Sequence, residues 1–175
     1  MGTKRVGLAR VEALMENLKR EISFGAGTKL VGARRAVESV TADTSLTAAD
    51  CGKLYVFADA AAVLTLPDSG AGDLVGVWYE FYSNFQGTGQ KVICSDTNNE
   101  DLIGALLQSD DDGDVASKVW NAAAGDGFDF INLASVATGK PGTRFRITNI
   151  AADVWSVEGL VIQSGGAEAT PFGST

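Results

Sequence analysis

Histidine is absent from this sequence of 175 residues. Its absence excludes the side chain that most often serves as a general base or a metal ligand, and with it every Ser-His-Asp or Cys-His nucleophile arrangement. Carboxylates are numerous, but nothing in their spacing selects a catalytic pair. We therefore expect no catalytic residue, no metal centre and no enzymatic activity.

Cysteine is scarce as well. Cys51 and Cys94 are the only two, and they form no C-x-x-C pair, which argues against a zinc site or a redox motif. We expect two free thiols, because disulfides are rare in the cytoplasm. No cofactor is expected, since residues 87–91 (GTGQK) lack the spacing of a phosphate-binding loop and predict a tight hairpin instead.

Long apolar runs are missing. The longest, residues 58–66, is interrupted by Asp59 and is far shorter than the roughly 20 residues of a membrane helix. Near the N-terminus, Glu12, Glu16 and Glu21 stand where a signal peptide would need an unbroken apolar core. We expect neither a membrane span nor signal-directed secretion.

Charge of both signs is present, but it is distributed unevenly. There are 14 Lys and Arg residues against 22 Asp and Glu residues, a net charge of −8; the first 40 residues carry +4, so the remainder carries −12. Because the acidic part repels phosphate, we expect the basic segment to contact an acidic protein surface rather than nucleic acid. The candidate contact residues are Lys4, Arg5, Arg10, Lys29, Arg34 and Arg35.

An amphipathic helix is predicted at the N-terminus. Its apolar positions follow the a/d spacing of a heptad repeat, and Gly25 and Gly27 indicate where it ends. The residues of this seam, candidates for an oligomer or partner contact, are Leu8, Val11, Met15, Leu18 and Ile22. Because so short a helix is marginal alone in water, it must dock on something. Two alternatives stay open: it packs against the chain's own β domain, or it meets identical helices or a partner protein.

Short runs of β-branched and aromatic residues predict strands in the rest of the chain. Strands are expected at 54–57, 63–66, 75–82, 91–94, 128–133, 143–148 and 154–162. Residues 149–153 predict a hairpin loop, and the helical spacing within 114–124 predicts a short helix or a folded loop.

These elements predict a mainly β fold. We expect an antiparallel β-sandwich or barrel of about seven to eight strands, preceded by the helix and a linker. The predicted domains are the N-terminal amphipathic helix at 1–24, a basic linker or arm at 25–42, and the β domain at 43–175.

The densest acidic cluster is the run SDDDGD at residues 109–114. Aligned on Gly113, an EF-hand loop would need an acid at position 108 and a glutamate at position 119, but Gln108 and Val119 stand there. A weak divalent-cation site and a solvated loop are the two interpretations, and the second is favoured.

Three blocks of sequence carry a family resemblance. Residues 44–57 (TSLTAADCGKLYVF), leading to 64–67 (LTLP), resemble the opening of a β domain in structural proteins of tailed-phage virions, with its T-x-x-D-S-G and T-x-T-L-P elements. Residues 142–159 are similar to that domain's closing hairpin, G-x-R…W-x-V-x-G, and residues 1–10 (MGTKRVGLAR) to the start of marine podovirus virion proteins. Cys51 and Ala152 depart from the usual Ser and Gly.

The resemblance implies a non-enzymatic virion protein, most like a head decoration or cement protein. Such a protein binds the major capsid protein at the capsid surface after assembly in the host cytoplasm, as a homo-oligomer with a trimer favoured. The alternative is a tail fibre, an appendage, or a receptor- or glycan-binding module of the virion. Trp78, Trp120 and Trp155 would offer such a module a sugar-stacking surface, although Trp at strand spacing is more often part of a core.

Overall fold

Residues 34–175 are those that the computed structural model describes, and they form twelve β-strands and one 3₁₀ turn, Ala48–Asp50. The strands are β1 (Val37–Val40), β2 (Thr44–Ser45), β3 (Leu54–Phe57), β4 (Leu64–Thr65), β5 (Trp78–Ser83), β6 (Gln90–Ile93), β7 (Asp101–Asp110), β8 (Val119–Ala122), β9 (Phe130–Asn132), β10 (Arg144–Ala151), β11 (Val154–Gln163) and β12 (Phe172–Gly173). No α-helix occurs in this range, so the described chain is mainly β. Within it, no helix is long and apolar enough to cross a membrane.

The strands form two mixed sheets. One has seven strands in the order β1-β3-β5-β10-β11-β7-β8, and the other has five in the order β12-β9-β6-β4-β2. From β1 to β7, successive strands alternate between the two sheets. A chain that crosses to the other sheet and returns runs in its original direction, which explains why β1, β3 and β5 are parallel.

The predicted purely antiparallel arrangement of about seven to eight strands is therefore wrong in two respects. There are twelve strands in the described part of the chain, and both sheets contain parallel pairs. β10 and β11, which follow each other along the chain, do form an antiparallel hairpin. However, β11 also pairs in parallel with β7, which lies far away in sequence.

A single buried core takes side chains from both sheets. In the seven-stranded sheet, Tyr79 and Phe81 of β5 are buried, and the residues between them point to the opposite face of the sheet. Phe81 stacks on Phe145 with ring centroids 5.1 Å apart. The other core residues of this sheet include Leu102, Leu106, Ile147, Trp155, Val157 and Val161. The five-stranded sheet contributes Leu64, Val92, Ile131 and Phe172.

Several local predictions are confirmed and others are wrong. β3 has its predicted bounds, and β5 and β11 lie where strands were predicted. The region 114–124 contains no helix. Residues 114–118 form a loop, one of the two predicted alternatives, and β8 follows because its pairing with β7 at the sheet edge outweighs the helical spacing. The predicted hairpin at 87–91 is wrong too, since this segment carries the chain from β5 in one sheet to β6 in the other.

The predicted loop at 149–153 differs in detail from the structure. β1 lies within residues 25–42, which the sequence analysis assigns to the linker, and it pairs with β3. β10 continues to Ala151, which leaves a two-residue turn at Ala152 and Asp153, and Asp153 has a φ of 58°. The predicted helix at 1–24 lies outside the described residues.

Candidate functional site

The seven-stranded sheet buries one face in the core and leaves its other face uncovered by the described residues. Because side chains alternate along a strand, and residues paired across strands share a face, the register identifies the side chains on this open face. None of them is buried. They include Leu54, Val56, Trp78, Glu80, Tyr82, Ile103, Leu107, Val119, Arg144, Arg146, Glu158 and Leu160.

Three large apolar side chains lie next to each other on this face. Leu160 pairs with Leu107, and Leu107 pairs with Val119, so they occupy adjacent strands β11, β7 and β8. Their exposures are 40% for Leu160, 59% for Leu107 and 48% for Val119. We call these three residues the apolar stripe. On the side of β10 it meets Arg144, which pairs with Leu160 and, on its other side, with Tyr82.

A charged cluster lies beside the stripe. The carboxylate of Glu80 accepts hydrogen bonds from Arg146 Nη2 at 2.7 Å and Nε at 3.2 Å on one side, and from Arg35 Nη1 on the other. Both guanidinium groups lie over the Trp78 ring, with Cζ atoms 5.1 Å (Arg35) and 4.7 Å (Arg146) from its centroid. Arg146 also pairs with Glu158 at 3.6 Å.

This cluster fixes the ionisation of Glu80. Partial burial opposes the charged form, but the hydrogen bonds from Arg35 and Arg146 outweigh it, so the pKa of Glu80 is lowered. The cluster therefore holds two guanidinium groups against the carboxylates of Glu80 and Glu158. Arg144 makes no ion pair within residues 34–175, so it leaves one unpaired guanidinium group on the open face of a chain whose net charge is −8.

Two shallow depressions flank Gly159 on the same face. One, of about 230 Å³, is lined by charged side chains including Glu80, Arg146 and Glu158. The other is lined by Tyr82, Gly142, Arg144 and Leu160. A Cβ atom at Gly159 would lie 2.4 Å from the carbonyl oxygen of Arg144, so a larger residue at this position would push β10 away from β11. The open face therefore combines the apolar stripe, the unpaired guanidinium group of Arg144 and two shallow depressions. Such a combination suits the recognition of another protein.

The structure describes only two of the residues that the sequence predicted as contacts. Arg34 is exposed and makes no ion pair with the described residues, whereas Arg35 is bound to Glu80 and donates to the carbonyls of Gly52 at 2.9 Å and Lys53 at 3.0 Å. The side chain of Arg35 is thus used in contacts within the β domain. The remaining basic candidates (Lys4, Arg5, Arg10 and Lys29) and the seam residues (Leu8, Val11, Met15, Leu18 and Ile22) lie outside the described residues.

The three tryptophans have different surroundings. Trp155 is fully buried in the core. Trp78 lies under two guanidinium groups, and Trp120 donates from Nε1 to Gln163 at 2.7 Å while Lys118 lies 4.5 Å from its ring centroid. These surroundings are those of structural aromatic residues, and Trp155 has no surface to offer a sugar.

Sequence reasoning missed the apolar stripe and the cluster around Glu80. Alternation within the strands predicted at 143–148 and 154–162 would have placed Arg144 and Leu160 on the outer face. No local signal identified Leu107, because β7 was not predicted as a strand. The alignment of all three stripe residues depends on a parallel pairing between distant segments.

Comparisons with protein-family models, with curated proteins and with solved structures each returned no match. The functional argument therefore rests on the sequence and on the geometry of the described domain.

Proposed function

We propose that this chain is a non-enzymatic structural protein of a phage virion. It acts as a head decoration or cement protein that binds the major capsid protein and coats or stabilises the shell. The proposal combines the sequence resemblance of residues 44–67 and 142–159 with the open face of the seven-stranded sheet. The protein is then located at the capsid surface.

The apolar stripe is the observation that carries this proposal. Leu107, Val119 and Leu160 place three exposed apolar side chains on adjacent strands, and contiguous apolar area of this kind marks interaction surfaces. Covering it stabilises a complex by roughly 25 cal/mol per Å² of apolar surface removed from water. One such contact is weak, but repetition around a symmetric shell adds avidity.

Charge selects the occupant of the open face. The chain beyond residue 40 has a net charge of −12, so two copies of the domain repel each other at long range. Arg144 stands free among the described residues beside the stripe. The open face therefore fits a surface of the major capsid protein that has an apolar patch edged with carboxylates. The other, carboxylate-rich surfaces of the β domain then project away from the shell.

Two finer features belong to the same proposal. The two sheets form a β-sandwich, which is supported by the single core that both sheets share. The amphipathic helix predicted at residues 1–24, outside the described residues, would join copies of the chain through its seam, with a trimer favoured. Its spacing in the sequence supports this assignment.

A binding assay tests the proposal. Phage heads assembled without this chain are mixed with the purified protein, sedimented, and analysed for bound protein. We expect saturable binding, and a L107S/L160S variant should bind at least tenfold more weakly because it removes the apolar contact. The matched control is V75S/V136S, which replaces two valines that are also exposed but lie outside the strands of both sheets.

The outcomes separate the alternatives. If the wild-type protein does not bind heads that lack it, the decoration function is wrong. If it binds the host cell envelope instead, the alternative function as a tail fibre or receptor-binding appendage is favoured. If the L107S/L160S variant binds as tightly as the control, the open face is not the contact. Solution mass measured with and without residues 1–24 tests the trimer separately.

A further inference from the structure

Two loops meet at one edge of the seven-stranded sheet. β7 and β11 pair in parallel and in register from Asp101 and Val154 to Asp110 and Gln163, so both strands leave the sheet at the same edge. β7 ends at Asp110, the first residue of the acidic run at 110–114, and the rest of this run lies in the following loop; the loop after β11 contains residues 164–168. The loops are joined directly, because Asp112 Oδ2 accepts hydrogen bonds from Ser164 Oγ and Gly165 N, each 2.8 Å away.

Four carboxylates converge where these loops touch. Asp110 ends β7, Asp112 and Asp114 follow in the first loop, and Glu168 comes from the second loop. One oxygen of each lies within 4.8 Å of the others. Among the described residues none of the four forms a salt bridge, and the nearby Lys140 pairs with Asp111 instead. The cluster therefore concentrates negative charge that no described side chain neutralises.

Glu168 distinguishes this cluster from an ordinary acidic loop. Its residue exposure is only 8%, and neither carboxylate oxygen has a hydrogen-bond partner within the described part of the chain. A buried carboxylate without a partner is costly, because burial removes the water that would stabilise its charge. Glu168 nonetheless lies with one oxygen among those of the three aspartates. A cation bound among the four carboxylates would replace the solvation that burial removes from Glu168.

We propose that Asp110, Asp112, Asp114 and Glu168 bind a calcium ion. The donors are all carboxylate oxygens, which hard cations prefer, and Ca²⁺ takes six to eight oxygen ligands at about 2.3–2.6 Å. Two ligands on opposite sides of such an ion lie about 5 Å apart, so oxygens within 4.8 Å of one another fit around one ion. The exposed side of the site, at Asp112 and Asp114, leaves room for water ligands and for entry of the ion.

The proposed site also explains why the acidic run at 109–114 does not match the EF-hand loop pattern. An EF-hand takes its ligands from one continuous loop of 12 residues. Here the fourth ligand comes from Glu168, on a loop that only the parallel pairing of β7 and β11 brings into contact with Asp110. Spacing within the acidic run could not reveal it.

Calorimetric titration of chelator-treated full-length protein with CaCl₂ tests the proposal. We expect one ion per chain with a dissociation constant in the micromolar to millimolar range. At a Ca²⁺ concentration tenfold above that constant, the melting temperature should rise by about 4 °C. The E168Q variant keeps the shape of the side chain but removes its charge, and it should bind Ca²⁺ at least tenfold more weakly. D114N provides a second variant at an exposed position, with the same expectation.

The controls separate a site from general charge screening. D73N removes an exposed carboxylate outside the cluster and should bind Ca²⁺ like the wild type. Absence of binding up to 10 mM CaCl₂ would overturn the proposal. So would an equal response to MgCl₂ at matched ionic strength, or unchanged affinity in a folded E168Q or D114N variant. None of these measurements involves capsids, so their outcome is independent of the proposed virion function.

Discussion

The indole Nε1 of Trp155 donates a hydrogen bond to Oε1 of Glu100, 3.1 Å away in the protein core. Ser69 donates to the same oxygen from its backbone N at 2.8 Å and from its Oγ at 2.6 Å. The other oxygen accepts from Ser95 Oγ at 3.0 Å and Asp96 N at 2.9 Å. One buried carboxylate thus joins β11 to the loops before β5 and β7.

Replacing Glu100 by glutamine should destabilise the fold strongly. One carboxylate oxygen becomes an NH₂ group facing donors, so at least two hydrogen bonds to a charged acceptor are lost. We expect E100Q to lower the free energy of unfolding by about 2–4 kcal/mol in urea titrations. The control variant E158Q replaces an exposed glutamate of β11 and should change the free energy of unfolding by less than about 0.5 kcal/mol. Equal effects of the two variants would contradict this role of Glu100.

The ion pairs of Glu80 should make stability depend on pH in the acid range. Because its pKa is lowered in the folded state, Glu80 contributes stability above the unfolded value near 4.5, and this contribution is lost as the pH falls through the folded pKa. The difference in unfolding free energy between wild type and E80Q should therefore be largest near pH 7 and shrink below pH 4.5. Chemical denaturation at several pH values measures it, and a constant difference would contradict the prediction.

Arg34 and Arg35 are adjacent in sequence but should respond differently to mutation. Arg35 bonds to Glu80 and to two carbonyls and lies over Trp78, whereas Arg34 forms no ion pair with the described residues. We expect R35A to lower the free energy of unfolding by about 1–2 kcal/mol. R34A should change it by less than about 0.5 kcal/mol. Urea titration of both variants measures the contrast, and equal values would contradict it.

The two thiols should differ in reactivity. Cys51 is exposed and Cys94 is buried, and burial raises the pKa of the Cys94 thiol, which keeps it protonated. A chromogenic thiol reagent should therefore modify one thiol rapidly in the native protein and both after unfolding. C51S should abolish the native reaction. Rapid native modification of Cys94 in that variant would contradict the described packing.

Part of this fold could be predicted from the sequence because it depends on local alternation. Tyr79 and Phe81 are spaced two residues apart on either side of Glu80, and the structure buries both in the core. β8 could not be predicted in this way. Val115, Lys118, Val119 and Ala122 have helical spacing, but Val119 and Ala122 lie in a strand paired with β7.

The two candidate sites were harder to predict because each depends on β7 lying beside β11. That parallel pairing aligns Leu107 with Leu160 on the open face, and it brings Asp110 close to Glu168 at the sheet edge. Parallel neighbours are separated by long connections, so no short-range sequence pattern specifies their register. The acidic run was recognised from the sequence, but its buried fourth carboxylate was not.

A single glycine makes that parallel pairing possible, and its replacement should be among the most damaging changes in the domain. Gly104 of β7 has a φ of +136°, and a Cβ atom there would lie 2.0 Å from the carbonyl oxygen of Val157 in β11. No side chain fits unless the two strands separate, so we expect G104A to lower the free energy of unfolding by more than about 3 kcal/mol. Thermal and urea unfolding measure this loss.

Gly89 provides the matched control for this substitution. A Cβ atom there has no described neighbour within 4 Å, and its φ lies outside the positive range, so G89A should be neutral or slightly stabilising. If β7 and β11 are as close as described, G104A should also weaken calcium binding, because the carboxylates that follow the two strands depend on their register. A G104A variant with the stability of G89A would show that these strands do not pair at this distance.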